Sequence, residues 1–291
     1  MFAKRGFLLD VARRTPNRRT LFELVDILYG YRYTEFRPYA EDGFDDVEID
    51  FKKLGLYCEM QGLKMIPTTK ADFDLLFAGG EYICVSTETE RSLAGRVEDM
   101  RERMEKAEAM GRAHGMKGFL VTDLGDECAW QPLAASLPGV IMGANFAVSG
   151  PSTAKMDLEK ELNRVMNAPI GGLLLRLGTL YLRGGAPHEH CSELFNILSH
   201  DVGYSRHPGL TDYVLEDVGG VARGVRIAAE RWADESNWAK EIVHMANLID
   251  AACHRRDEKR LREVRDEHGR IWRLRSMESE RAESLMRLPR F

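Results

Sequence analysis

The sequence has no uninterrupted apolar run near the roughly 18 residues that a membrane-spanning helix needs, so a helical span is not expected. It contains no G-x-G-x-x-G, no G-x-x-x-x-G-K-[ST], no G-x-S-x-G elbow and no H-E-x-x-H. Dinucleotide redox chemistry, P-loop NTP hydrolysis and the common serine and zinc hydrolase chemistries therefore lack their usual signatures. Cysteine is sparse: Cys58, Cys84, Cys128, Cys191 and Cys253 are dispersed, odd in number and without a C-x-x-C pair. Such a set points to buried free thiols in a reducing compartment rather than to a disulfide framework or zinc ribbon. Positive charge is not in excess either, since 41 Lys and Arg face 46 Asp and Glu for a net charge of −5. That balance argues against a general nucleic-acid surface. The opening "MFAKRGFLLDVARRT" is basic and apolar, but Asp10 and two arginines follow too soon for a secretory signal. The expectation is a cytoplasmic protein with neither a membrane nor a nucleic acid as partner.

What is present is enough apolar material for a sizeable core: 291 residues, 44% hydrophobic and 30% charged. The first half alternates short apolar runs with helical periods. "GFLLDV" (6 to 11), "YTEFRPY" (33 to 39), "LKMIPT" (63 to 68), "YICVST" (82 to 87) and "GFLVTD" (118 to 123) read as strands. Between them, helical faces are expected over 18–31, 47–62, 70–77 and 93–113, the first carrying Leu21, Leu24, Val25 and Leu28. This rhythm predicts parallel strands covered by helices. After Trp130 a proline-bounded loop is expected, and from Asp157 onwards helical periods dominate. The chain thus divides into 1–150, a truncated barrel-like α/β unit, and 151–291, a helical region.

Acids recur near the ends of the strands. Asp10 ends the first, Glu35 and Glu41 lie in and beyond the second, Glu88 and Glu90 follow the fourth, and Asp123 ends the fifth. Parallel folds present functional groups at that edge. In "TDLGDECAW" a carboxylate at Asp126 beside the Trp130 ring suits a sugar, whose hydroxyls donate to the acid and whose C–H face the ring covers. Asp123 as a turn cap, Asp126 in solvent and Trp130 as loop packing is the alternative. Arg5 stands at the beginning of its strand, where a salt bridge and hydroxyl binding compete as explanations. "PHEHC" brings His188 and His190 together without a third ligand, so no metal and no cofactor is expected.

Taken in order, "RGFLLDVAR", "LVDILYGYRYTEFRPYAEDGF", "LGLYCEMQGLKMIP", "YICVSTETERSLAGR" and above all "TDLGDECAWQPL" resemble the family 20 glycoside hydrolases, the β-N-acetylhexosaminidase group. The resemblance implies a (β/α)8 barrel that removes terminal N-acetylhexosamines by substrate assistance, through a paired aspartate and glutamate. It also makes Arg5 a hydroxyl-binding residue and places Glu41, Asp123, Asp126 and Trp130 at the sugar pocket. The match is incomplete: the strands resemble the first, second, third, seventh and eighth of the barrel, and the Asp-Glu pair is missing. A replacement acid would come from Glu88, Glu90, Glu41 or Asp126, with Glu88 and Asp126 put forward as the catalytic candidates. The resulting expectations are an incomplete, TIM-barrel-like parallel sheet of about five strands followed by helices, and weak or absent catalysis. An N-acetylhexosamine-containing sugar is the expected ligand, and a homo-oligomer is expected to cover the open sheet edges.

Overall fold

The computed structural model describes residues 1–124, 130–150, 156–184, 191–200, 205–278 and 281–288. The first half is β1 (Lys4–Asp10), α1 (Arg18–Gly30), β2 (Glu35–Tyr39), α2 (Phe51–Met60), β3 (Lys64–Met65), α3 (Lys70–Ala78), β4 (Tyr82–Ser86), α4 (Val97–Ala113) and β5 (Gly118–Asp123). All strand pairings are parallel, in the order β3-β2-β1-β5-β4. The sheet is open, with β3 and β4 at its two edges, the incomplete parallel sheet of about five strands that the sequence predicts. β3 is shorter than its apolar run because Pro38 of β2 has no N–H to give to the Ile66 carbonyl; the Ile66 and Thr68 N–H groups still donate to Phe36 O and Pro38 O, and pairing resumes at Thr68 through a single bridge to Tyr39.

Each face of the sheet is buried differently. Phe7, Leu9, Phe36, Phe119 and Val121 point into the main core under the α1 stripe of Leu21, Leu24, Val25 and Leu28. Asn17 starts α1 by accepting from the Thr20 N–H at 3.0 Å. The opposite face, which would be a barrel's interior, holds Leu8, Tyr39, Tyr82 and Leu120, and α3 lies across it through Phe73 and Leu76. A Thr69–Asp72 capping box holds the first turn of α3. That short helix covers part of this face of the sheet. On the same face Glu35 accepts from Arg37 at 2.8 Å and from the Tyr82 hydroxyl at 2.9 Å, so Glu35 is committed to a buried structural cluster.

The segment after Trp130 is not a loop. It forms α5 (Leu133–Ser149), buried along most of its length. Two features hide this helix in the sequence: it is apolar on nearly all sides, which removes the helical period, and Pro138 lies inside it. Its glycines permit close packing on the sheet, since a Cβ on Gly143 would stand 2.3 Å from Val121 Cγ2. Gly143→Ala is therefore expected to destabilise by about 1–3 kcal/mol through overpacking, read as a lower urea midpoint with an unchanged slope.

The remaining elements are α6 (Leu158–Met166), α7 (Gly171–Leu177), a 3-10 turn (Leu180–Gly184), α8 (Glu193–Ser199), α9 (Asp212–Glu230), α10 (Asn237–Cys253), α11 (Glu258–Arg275) and α12 (Arg281–Arg287). The hydrophobic core continues from Phe2 through α5 into α9, α10 and α11. The end of α11 is tied to the loop after β1: Asn17 N–H donates to Arg275 O and Met277 N–H to Thr15 O, each at 2.8 Å. The helical region thereby reaches the carboxyl edge of the sheet.

Candidate functional site

At that edge a cavity of about 80 Å³ opens between the ends of β1 and β5, the start of α5 and the end of α11. Asp10 and Asp123 enter it from opposite faces of the sheet: Asp10 pairs in register with Tyr39, whereas Asp123 lies beside Leu9. Asp10 Oδ1 accepts from the N–H groups of Ala12 (2.9 Å) and Arg13 (3.1 Å), and Oδ2 accepts from the Arg13 guanidinium at 3.0 Å. Asp123 Oδ1 accepts from the Thr87 and Thr89 hydroxyls, each at 3.0 Å, and Ser136 of α5 also donates to this carboxylate. Burial pushes both carboxyls above the ordinary carboxylate range, more than these donors lower them.

The cationic side of the cavity comes from Arg14 and Arg275. Arg14 donates to Ser276 Oγ and to the Gln131 carbonyl, both at 2.7 Å, and its guanidinium lies 4.7 Å from the centre of the Trp272 ring. Burial, with Arg275 nearby, lowers its pKa to about 10. Arg275, buried on the Trp238 ring, is matched by two carboxylates, Glu241 and Glu23. Glu241 also accepts from the Ala134 N–H at 2.8 Å, in the first turn of α5, where Pro132 offers no side-chain cap.

Of the residues picked from the sequence, the structure brings Asp123 to this cavity with Asp10. Glu41 is exposed at the rim, 3.4 Å from Arg13. Arg5 is not brought there: it stands at the opposite end of β1, where Nε donates to Arg32 O at 2.6 Å and Nη1 to Phe2 O at 2.8 Å. Trp130 does not offer a ring to a ligand either; it is fully buried, packed on Phe195 and donating to Ser284 O. Glu88 is buried between Arg96 and Arg103, paired with both and away from the cavity lining. Asp126, Cys128, His188 and His190 lie outside the described residues. No cluster of three metal-ligating side chains occurs among the described residues, and none of their single helices is long and apolar enough to cross a membrane.

Sequence reasoning missed Arg14 and Arg275 as partners, and it missed a buried chain in which His244 and His268 stand 3.1 Å apart between Glu267 and Ser284. No local pattern joins these positions; only the return of α11 to the sheet does. No protein-family model matches the chain, and no curated protein matches it. The class defined by fold and site is an α/β protein with an open, five-stranded parallel sheet and a cavity at the carboxyl ends of its strands, mostly apolar in lining but bordered by carboxylates and guanidinium groups.

Proposed function

We propose that this protein is a sugar-binding relative of the family 20 glycoside hydrolases with weak or absent hydrolysis. The observation that carries the reading is the cavity at the carboxyl ends of β1 and β5, where two carboxylates can accept ligand hydroxyls beside guanidinium donors. The strand order supports it, since it is the order that the resembling segments of that family would take around a barrel missing its middle. Hydrolysis is poorly served by the carboxyls on hand. Those of Asp10 and Asp123 already accept from several donors, and Glu88 is held by two arginines. The exposed edges of β3 and β4 are the surfaces through which copies of the chain would associate in this proposal.

The expected result is that N-acetylglucosamine or another monosaccharide raises the melting temperature, while aryl N-acetyl-β-hexosaminides of the gluco and galacto series release no chromophore between pH 4 and 8. Turnover that Asp123→Asn abolishes would replace the binding reading with an enzymatic one. No stabilisation by any monosaccharide, neutral or acidic, would remove the sugar reading.

A further inference from the structure

One feature of the cavity is not used by a neutral sugar: Asp10 is paired with Arg13 and Arg275 with Glu241 and Glu23, but Arg14 and Asp123 are in no ion pair among the described residues. Arg14 has only neutral partners among the described residues, Ser276 and the Gln131 carbonyl, and its Nη2 is buried without a hydrogen-bond acceptor. The Nη2 of Arg275, which lines the same cavity, is also buried and unpartnered. Opposite them, Asp123 is held by hydroxyl donors and has no cation in ion-pair contact among the described residues. A buried guanidinium nitrogen without an acceptor costs free energy, and an oxyanion in the cavity would offset it through charge-assisted hydrogen bonds. The cavity has room for roughly half a dozen water-sized bodies and is partly open to solvent, which fits one terminal group rather than a polymer.

We infer that the cavity takes the acidic end of a hydroxylated carboxylate, a sugar acid of the hexuronate type. Its carboxylate sits on the free edges of Arg14 and Arg275, and a neighbouring hydroxyl donates to Asp10 or Asp123. This inference rests on the sugar-binding reading and names its ligand class. A neutral sugar would leave both guanidinium edges unpaired, and a bare small anion would bring no ligand hydroxyl to either carboxylate. The site joins residues far apart in the chain, Arg14 and Ser276 being separated by 262 positions, so it forms only when the helical region is docked on the sheet.

The test is titration calorimetry of the full chain with D-glucuronate, D-glucose, N-acetylglucosamine and acetate. Glucuronate should bind at least tenfold tighter than the other three. Arg14→Gln should weaken it more than tenfold and Arg14→Lys less. Because Arg14 also packs on Trp272, a second variant, Leu133→Phe, fills the cavity from its wall and leaves the cations in place; it should abolish binding in a protein with unchanged circular dichroism. Equal binding of glucose or N-acetylglucosamine, unaffected by Arg14→Gln, would overturn the anionic ligand while keeping the sugar reading. Acetate binding as tightly as glucuronate would reduce the site to a simple anion pocket and overturn the hydroxy-acid assignment. Absence of binding by all three sugars would overturn the inference and the sugar reading together.

Discussion

Replacing Arg275 by methionine is expected to lower the unfolding free energy by about 3–5 kcal/mol. The side chain is 3% exposed and Glu241 is 0% exposed, so the substitution strands a carboxylate where water cannot reach it. Glu23, at the partly exposed end of the same cluster, can turn to solvent and contributes little to the loss. The damage spreads because Glu241 also holds the first turn of α5 through the Ala134 N–H, and α5 carries much of the core between sheet and helices. Urea unfolding of the wild type, Arg275→Met and the double variant Arg275→Met/Glu241→Met checks this. The double variant should recover most of the loss, keeping a residual of about 1 kcal/mol for the unpaired amide. A single variant within about 1 kcal/mol of wild type would mean that the cluster is hydrated and that the helical region is held to the sheet by other contacts.

The strands were legible because a parallel sheet buried on both faces writes itself as short apolar runs, and β1, β2, β4 and β5 follow those runs closely. The helices α1 and α4 were legible for the complementary reason: one buried face and one wet face impose a period. α5 was not, since a helix buried on most sides has no wet face to mark it, and Pro138 argues locally against it. Tertiary packing overrides that local cost. The candidate site was half legible. Asp123 ends a strand and lands in the cavity, as the general rule for such folds requires. Arg5 begins a strand and faces the other end, where position alone weighs against ligand binding. Trp130 lies in the stretch most like the hexosaminidases and is nevertheless core. The two arginines that give the cavity its charge had little signal. Arg14 stands in a basic cluster with Arg13, Arg18 and Arg19 that neighbouring acids balance, weak evidence for phosphate binding, and Arg275 is ordinary in a charged helix, while the loop after β1 meets the end of α11 only in the folded chain.

Stability is expected to fall as pH drops below about 6.5, and His268 is the group that carries this slope. With Glu267 ionised, one proton arrangement satisfies the buried chain: His244 Nδ1–H donates to Glu267, His268 Nδ1–H donates to His244 Nε2, and the Ser284 hydroxyl donates to His268 Nε2. Every ring nitrogen is used, so an added proton on His268 would break a contact. Burial is the main reason its pKa lies well below 6.5, and the neighbouring His244 and Arg14 further oppose a positive charge there. Burial is the largest influence on Glu267 and opposes its ionisation, yet the His244 and Asn247 hydrogen bonds and the nearby positive charge together outweigh it and hold that carboxyl below its ordinary range. The unfolded chain therefore takes up a proton near pH 6.5 that the folded chain refuses, and stability is lost on acidification at up to about 1.4 kcal/mol per pH unit. Asp10 and Asp123 act in the opposite sense. Their raised folded pKa values make the folded state the better proton acceptor just above the usual 3.8, so they add stability as pH falls through that lower window. The two contributions separate by substitution: His268→Gln should be less stable at pH 8 yet lose the slope between pH 6.5 and 5, whereas Asp123→Asn should keep that slope. An unchanged slope in His268→Gln would assign the acid sensitivity to other groups and show that His268 takes up a proton as readily folded as unfolded.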